Sequence, residues 1–295
     1  MLSKYYWDKN HKEIVDVDME AFISALIVRL EEKYDEVRIK KIAPGGTLGI
    51  FFELYIGEKR KFVKTHQCGD TYKENLIKEM EIMSLVYGDV IEIERVDIKI
   101  RETQMVFVIM DYLFSFNYVV RPQEVKNYIN NYQIKLYQKK VSRVGYSFSQ
   151  IVKAGEEASG ILYEKGFFAK ETYIKCEESL QRIRNTKYQK RICHGDLSNA
   201  NIMYTANQVP IVVDWEDSLI AFQEYDYLYW LTFFSQRKFY ASDLLESSGI
   251  DKIWGTDIMV LITIIKSMIS YKNESYRKNR ISFQDRINEI YDMVK

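Results

Sequence analysis

Residues 192–217 read ICHGDLSNANIMYTANQVPIVVDWED, and this stretch decides the fold of the chain. A polar loop, 194–201, precedes two short apolar runs, 201–204 and 210–214, which flank a turn. Short runs of this kind on either side of a turn are typical of a tight β-hairpin. The pattern therefore predicts a loop followed by a hairpin, whose second strand ends in Asp214.

Three oxygen-bearing side chains bracket this hairpin. Asn201 and Asp214 fall at the same end of the two strands, and Asp196 lies about one loop away. Carboxylate and amide oxygens suit Mg²⁺, which keeps waters and substrate phosphates at its remaining positions. A carboxylate beside such a site can take a proton from an attacking hydroxyl. The residues thus predict a metal site with a general base next to it, while an unrelated hairpin with capping and surface residues is the plainer interpretation.

The first third of the chain has the hydrophobic periodicity of strands and two helices. Apolar residues recur at helical spacing in 18–33 and again in 75–86. Short β-like runs occupy 38–43, 50–56, 61–65, 91–100 and 104–110. We therefore predict five antiparallel strands, with one helix inserted after the third.

The remainder of the chain is mostly helical. Amphipathic spacing predicts helices over 123–139, 148–164 and 172–184, and further helices after residue 225. A β-rich first third followed by helices is typical of an α+β protein. We predict two lobes, residues 1–112 and 113–295.

The composition excludes several classes of protein. The 295 residues carry 42 Lys and Arg against 42 Asp and Glu, so no basic excess points to nucleic acid or to an anionic membrane. Hydrophobic residues make up 47% of the chain, which excludes disorder. No signal peptide is visible, and the longest apolar run, 258–265, is far shorter than the ~20 residues that cross a bilayer.

Cysteine and histidine usage points away from zinc and from disulfides. The three cysteines, Cys68, Cys176 and Cys193, and the three histidines lack the spacing of a protein-built zinc site. Scattered thiols in an odd number are typical of reduced cytosolic proteins. We expect a cytoplasmic protein that binds neither nucleic acid nor membrane.

A glycine-rich turn lies between the first two predicted strands. It reads APGGTLG and contains Gly45, Gly46 and Gly49. Because these positions have no side chains, main-chain N–H groups there can approach a triphosphate. A glycine pair that only closes a hairpin is the other interpretation.

The loop and the hairpin resemble a known superfamily, the aminoglycoside phosphotransferases and their relatives, which include choline, thiamine and methylthioribose kinases. The H-G-D at 194–196 with Asn201 five residues after the aspartate is similar to the catalytic loop H-G-D-x-x-x-x-N of that family. Asp214 is similar to the metal-binding aspartate of its D-F-G-like motif, here D-W-E. Asp226, twelve residues further on, resembles the aspartate that braces the loop from below. The resemblance implies a bilobal, protein-kinase-like fold.

The resemblance also implies roles for the residues of the loop. Asp196 would be the catalytic base, and Asn201 and Asp214 would hold Mg²⁺. We expect His194 to steady the loop by hydrogen bonds rather than to carry a proton. Glu216 would either support the metal or bind an ammonium group of the acceptor.

In the first lobe the resemblance points to a phosphate-binding lysine. Lys64 falls on the third strand, as the kinase lysine does, and would reach the phosphates of ATP or GTP. Glu79 resembles the glutamate that pairs with this lysine, and Glu74 and Glu81 compete for that role.

The last strand of the first lobe resembles the hinge of the family. It runs from 106 to 110 into a polar turn, where main-chain groups near Asp111 and Leu113 would bind the adenine edge. Side-chain identity matters little for such contacts, so the residues themselves neither establish nor exclude the hinge.

The acceptor is the part of the site on which the sequence says least. Trp215, Asp217 and Glu224 are candidates, since aromatic faces hold ammonium groups and carboxylates pair with them. Aromatic residues crowd the segment 225–240, which is either an acceptor pocket or, as we favour, buried core.

These residues together predict a Mg²⁺-dependent kinase that moves the γ-phosphate of ATP or GTP to a hydroxyl of a small polar molecule. The segment after Asp214 lacks an A-P-E-like stretch, which disfavours a protein kinase, and it also lacks the Asp-Pro that is frequent in the family. A nucleotide-binding scaffold without turnover is one alternative, and a kinase of a surface-glycan precursor is another.

Overall fold

The computed structural model describes residues 19–42, 49–66, 70–100, 102–115, 120–138, 145–233, 245 and 249–293. The strands are β1 (Val37–Lys41), β2 (Gly49–Ile56), β3 (Lys59–His66), β4 (Ile93–Ile100), β5 (Thr103–Asp111), β6 (Arg191–Cys193), β7 (Ile202–Tyr204), β8 (Pro210–Val212) and β9 (Leu219–Ala221). The helices are α1 (Met19–Glu31), α2 (Asp70–Tyr87), α3 (Pro122–Gln138), α4 (Phe148–Glu164), α5 (Lys170–Arg184), α6 (Tyr225–Phe233), α7 (Lys252–Lys272) and α8 (Phe283–Asp292).

The first five strands form one sheet in the order β1-β2-β3-β5-β4. Every neighbouring pair in this sheet is antiparallel. Helix α2 leaves the sheet after β3 and the chain returns to it in β4. The prediction of a five-stranded antiparallel sheet with one inserted helix, followed by a mostly helical lobe, is confirmed.

Strand β5 is buried on both faces, because side chains of a strand alternate between its two sides. Met105, Phe107 and Ile109 pack in one apolar cluster with the side chains of α1. Val106 and Val108 point the other way and belong to a second cluster, which includes residues of α2. This explains the nearly continuous apolar run of β5, which a one-sided strand would not need.

The second cluster extends from the sheet into the helical lobe. It holds Val106 and Val108 of β5 together with side chains of α3, α4, α6 and α7. A buried hydrogen bond crosses between the lobes in the same region, where the Val212 N–H donates to the Tyr87 hydroxyl at 3.0 Å. The apolar interior is therefore continuous across the two lobes.

Helix α7 is the central helix of the helical lobe. It packs against α4, α5, α6 and α8. Within the described ranges it is also the one helix long and apolar enough to cross a membrane, and 72% of its most apolar window is buried inside the protein. Burial of this kind is what a core helix of a folded domain also shows.

The short strands differ from the prediction. β6 and β9 pair with each other, but each has only three residues and leaves no periodic signal. The second hairpin strand ends at Val212 rather than at Asp214. Asp214 cannot extend it, because its φ of 69° and ψ of 55° lie in the left-handed region. The division into lobes at residues 112 and 113 falls between β5 and α3 and stays a prediction.

Candidate active site

A buried ion pair joins the sheet to helix α2. Lys64 on β3 is 8% exposed, and its Nζ lies 2.6 Å from Oε2 of Glu79. The same Nζ lies 2.9 Å from Oδ1 of Asp214. Burial alone would lower the pKa of Lys64, but the charges of Glu79, Asp214 and Glu216 outweigh it and hold the pKa above its ordinary value. Lys64 is therefore charged, and its contacts with Glu79 and Asp214 fix the position of its ammonium group.

Glu79 holds two partners at once. Its Oε2 accepts from Lys64, and its Oε1 accepts from the main-chain N–H of Asp214 at 3.1 Å. Of the three glutamates that compete in the sequence, Glu79 is the one hydrogen-bonded to Lys64, while Glu74 and Glu81 have other interactions. One carboxylate thus fixes the positions of the lysine and of the left-handed turn at Asp214.

The hairpin places the main chain of Asn201 beside the residue that precedes Asp214. Ile202 pairs with Val212, and the Val213 N–H donates to the Asn201 carbonyl at 2.9 Å, one residue before Asp214. The side-chain amide N of Asn201 donates to the main-chain carbonyl of Asp196 at 2.9 Å. Because the amide nitrogen is used in this way, the amide oxygen is the atom of Asn201 that remains for a metal.

Asp196 is held by two side chains from the helical lobe. Its Oδ1 accepts from Nζ of Lys266 on α7 at 2.8 Å and from the hydroxyl of Tyr229 on α6. The Asp196 side chain is 32% exposed, so it remains open to a ligand. Burial by itself would raise the pKa of the Asp196 carboxyl, but Lys266 and Tyr229 outweigh it and keep the pKa below its ordinary value.

The loop that carries Asp196 is braced from inside the protein. Asp226 is fully buried, and its carboxylate accepts from the N–H groups of His194 at 2.8 Å and Gly195 at 3.0 Å. It also accepts from the Tyr132 hydroxyl at 2.6 Å. Three donors from two segments therefore meet on one carboxylate.

His194 and Gly195 complete the loop. Nε2 of His194 lies 2.8 Å from the Val213 carbonyl, and Nδ1 accepts from the Asp196 N–H at 3.2 Å. Both ring nitrogens thus have partners within the protein. Gly195 has a φ of 86°, and a Cβ there would lie 2.1 Å from the Asp217 carbonyl oxygen, so only glycine fits.

Solved structures share this arrangement of strands and helices. Aminoglycoside phosphotransferase APH(4)-Ia has a TM-score of 0.62 at 12% identity, covering 92% of this chain and 99% of that chain. Choline kinase LicA from Streptococcus pneumoniae has a TM-score of 0.61 at 14% identity, covering 94% and 99%. This chain has the aminoglycoside phosphotransferase fold.

Part of the sequence supports the same conclusion. Residues 166–255 match the model of the phosphotransferase enzyme family, APH. Amicoumacin kinase hAmiN, solved in complex with AMP-PNP and Ca²⁺, has a TM-score of 0.60 at 12% identity and covers 96% of this chain and 94% of that chain. No curated protein sequence matches the chain. The resemblance predicted from the loop and hairpin is confirmed.

The oxygen ligands fit a metal that is also bound by phosphates. In the described part of the chain, no group of three or more His, Cys, Asp or Glu side chains could hold a metal ion without help. Mg²⁺ commonly takes one or two protein ligands and fills its other positions with waters and substrate phosphates. Asp214 and the amide oxygen of Asn201 suit such a site in the phosphotransferase fold.

The strand that ends at the hinge leaves main-chain groups for a nucleotide. The Asp111 carboxylate accepts from Lys61 at 2.7 Å and from the Glu92 N–H at 2.9 Å. Phe114 pairs with Tyr204. Between them, the main-chain N–H and C=O of Leu113 form no hydrogen bond within the described residues. A base edge can use groups of this kind.

The predicted glycine-rich turn is only partly described. Gly45 and Gly46 lie outside the described residues, as does Cys68. Gly49 begins β2, where it pairs with His66 of β3. A role of this turn in phosphate binding stays a prediction.

The structure does not place Trp215 and Glu224 where an acceptor at Asp196 would contact them. Trp215 is 0% exposed, and its indole N–H donates to the Val212 carbonyl at 2.8 Å, so it is a core residue. Glu224 lines a different cavity, which includes 186–189 and Trp254 and does not include Asp196. The main-chain carbonyl of Asp217 lies against Gly195, the residue before Asp196, and an acceptor role for Asp217 stays a prediction. We do not propose Trp215 or Glu224 as acceptor residues.

Four aromatic residues of the segment 225–240 are core, whereas Phe233, also described, is 37% exposed. Tyr225, Tyr227, Tyr229 and Trp230 are all buried in α6. The Trp230 indole donates to Oδ1 of Asn199, in the loop that carries Asp196, at 2.7 Å. These side chains support the loop rather than form an open aromatic pocket. The members of the segment from 234 to 240 lie outside the described residues.

Sequence reasoning missed two residues of the site, Lys78 and Lys266, and it placed Tyr229 in the aromatic segment without its contact to Asp196. Lys78 on α2 is buried and donates to the main-chain carbonyl of Glu216. Tyr229 and Lys266 come from helices far along the chain from Asp196. Lys78 is adjacent to Glu79 in the sequence, so it could have been considered with it. Tyr229 and Lys266 could not be linked to Asp196, because hydrophobic spacing in a single sequence does not show which distant helices contact the loop.

Lys78 gives a prediction about stability. Burial lowers the pKa of Lys78 to about 8, although Glu216 and Glu79 act in the opposite direction. The folded state therefore disfavours the charged form below pH 8, and this penalty disappears as the pH rises toward the unfolded value of 10.5.

We expect the stability of the wild type relative to Lys78→Met to rise by about 2–3 kcal/mol from pH 7 to pH 10. Urea unfolding of both proteins at the two pH values measures this difference. A stability difference that is the same at both pH values would contradict the burial effect.

Proposed function

We propose that the chain transfers the γ-phosphate of ATP to a hydroxyl group of a small polar molecule, with Mg²⁺ as the metal. The observation that carries this proposal is a network of hydrogen bonds from Lys64 through Glu79 to Asp214. The neighbouring Val213 N–H bonds to Asn201, and the Asn201 amide bonds to the Asp196 carbonyl. Phosphoryl transfer needs positioning, charge neutralisation and a base near the nucleophile, and these residues supply each of them.

Relatives of the same fold support a small-molecule acceptor. APH(4)-Ia variants have been solved with ADP and hygromycin B and with AMP-PNP and hygromycin B. A spectinomycin phosphotransferase has been solved with ADP and spectinomycin. At 12–13% identity these proteins share the fold with this chain, and their acceptors serve as the first panel to test.

Each residue has one task in this reaction. The Lys64 ammonium would bind the phosphates, with Glu79 fixing its direction. Asp214 and Asn201 would hold Mg²⁺, which supplies charge neutralisation at the phosphates when bound. Leu113 would offer main-chain groups to the base.

The transfer itself is a displacement at phosphorus. The acceptor hydroxyl oxygen forms a bond to the γ-phosphorus, and the bond from that phosphorus to the bridging oxygen of the β-phosphate breaks. ADP leaves with the electron pair of that bond. The hydroxyl proton passes to the carboxylate of Asp196, whose side chain is partly exposed and is paired with one cation of the helical lobe, Lys266.

Asp214 provides a test of nucleotide binding. We expect Asp214→Asn to weaken Mg²⁺-dependent nucleotide binding by about 10–100-fold, because a charged contact is worth about 1.5–3 kcal/mol. Isothermal titration with ATP and GTP, with and without Mg²⁺, measures the affinity. Asp89→Asn is the control, since Asp89 pairs with Lys135 on the surface.

Equal affinity in Asp214→Asn and the wild type would contradict the metal assignment. Release of ADP or GDP across aminoglycosides, choline, thiamine and free sugars then tests turnover. Nucleotide binding without release on any acceptor would favour the scaffold alternative instead.

A further inference from the structure

A cavity of about 120 Å³ lies between α6, α7 and α8, beside the proposed catalytic base. Lys266 lines it and reaches Asp196, with Nζ 2.8 Å from Oδ1. Phe233 also lines it and stacks near Tyr229, with ring centroids 5.3 Å apart, and the Tyr229 hydroxyl donates to Asp196. Lys266 and Tyr229 therefore connect the cavity to Asp196, which does not itself line it.

The charged side chains that line the described part of this cavity are both cationic, and one of them, Lys266, is also paired with Asp196. Lys266 and Arg286 are two cations in its lining, and Ser267 and Asn279 add neutral polar groups. The described lining residues include no carboxylate. An aminoglycoside carries several ammonium groups and choline carries a quaternary one, so both would meet charges of their own sign here.

Arg286 adds an independent observation. Its Nε is buried and has no hydrogen-bond partner among the described residues. A buried donor without a partner is costly, and a guanidinium group matches the two oxygens of a carboxylate or a phosphate. Because the Arg286 side chain lines the cavity beside Lys266, its guanidinium group favours an anionic oxygen there.

Size limits what enters. A cavity of ~150 Å³ holds a benzene molecule, so 120 Å³ takes a slightly smaller group. A carboxylate or a phosphate with one or two adjoining carbons meets this limit, whereas a whole aminoglycoside does not. The rest of a larger acceptor would remain outside, near Asp196.

We propose that the acceptor is an anionic polyol, whose carboxylate or phosphate binds between Lys266 and Arg286 while a hydroxyl lies against Asp196. This inference rests on the proposed function, because it names the acceptor class of that same site. Binding of the anion gives Lys266 a second partner in addition to Asp196.

Turnover on acceptors matched except for charge tests the proposal. The set is glucose, gluconate, glucose 6-phosphate and glucosamine, together with choline and hygromycin B, with ATP and Mg²⁺. We expect kcat/KM to be at least tenfold higher on gluconate or glucose 6-phosphate than on glucose, and lowest on the cations. Comparison of gluconate with glucose 6-phosphate separates a carboxylate from a phosphate.

Variants locate the effect. Arg286→Met is expected to raise KM for the preferred anionic acceptor by tenfold or more with little change in kcat. Lys266→Met is expected to lower kcat/KM more on the anionic acceptor than on glucose. Arg277→Met is the control, because Arg277 pairs with Glu274 at the surface and does not line the cavity.

A binding measurement covers the case in which no acceptor of the set is used. Inorganic phosphate, added to protein saturated with Mg²⁺ and ADP, is expected to raise the Tm of the wild type and of Arg277→Met, but not of Arg286→Met. Loss of the shift in Arg286→Met without turnover on any acceptor would support the anion site and count against the kinase. Equal shifts in all three proteins would overturn the anion site. Turnover confined to choline or hygromycin B, with KM unchanged in Arg286→Met, would also overturn the anion site. That second outcome would still support the kinase.

Discussion

Asp196→Asn is expected to lower kcat by a factor of about 10²–10⁴, the usual contribution of a general base. The amide has nearly the shape of the carboxylate and can still accept from Tyr229 and Lys266, but it cannot take the hydroxyl proton. The affinity for Mg²⁺ and nucleotide should stay the same, since Lys64 and Asp214 are untouched. ADP release under saturating acceptor measures kcat.

The control for this variant is Asp89→Asn, which removes a surface carboxylate of the same type. Thermal unfolding of both variants verifies that the fold is retained. A rate for Asp196→Asn within threefold of the wild type would show that another group takes the proton, and the base would then have to be sought elsewhere in the cleft.

Asp226→Leu is expected to lower the free energy of unfolding by about 3–5 kcal/mol. The change leaves the N–H groups of His194 and Gly195 and the Tyr132 hydroxyl buried without an acceptor. Each such donor costs about 1–3 kcal/mol, and relaxation of the loop recovers part of the sum. Urea unfolding gives the free energy, and kcat should fall with it because the same loop carries Asp196.

Asp226→Asn is the matched comparison. Its amide oxygen can still accept from one or two of the donors, so we expect a smaller loss than in the leucine variant. If Asp226→Leu were as stable as the wild type, the three hydrogen bonds would not be what holds the loop in place.

Long elements were predictable because their apolar spacing repeats over several turns. Helix α4 has the predicted bounds, 148–164, and the five strands of the sheet were found by their alternating or continuous apolar runs. β6 and β9 could not be found, since three residues are too few for a period to show.

Residues of the candidate site were likewise predictable only where the sequence pattern is local. His194, Asp196, Asn201 and Asp214 stand within one short stretch, where order and spacing carry information. Lys266 reaches Asp196 across 70 residues, and its neighbours in the sequence belong to an apolar core helix, so nothing nearby marks it as functional.

Trp215 illustrates the opposite error. It stands beside Glu216 and Asp217, and an aromatic residue in an acidic turn suggests a surface that binds cations. The turn directs its indole inward, against Tyr132 and the His194 ring. The direction of a side chain in a short turn depends on main-chain angles such as those of Asp214, which a single sequence does not contain.

The continuous interior described for the two lobes bears on how such proteins can be recombined. Val106 and Val108 face side chains of the helical lobe's cluster, and Tyr87 is bonded to the hairpin at Val212. A lobe taken from a relative with 12–14% identity would bring a different set of side chains to that shared interior. The two lobes of this fold therefore cannot simply be exchanged between relatives. In a chimera, the side chains of the shared interior would have to be repacked before a new acceptor site could be introduced.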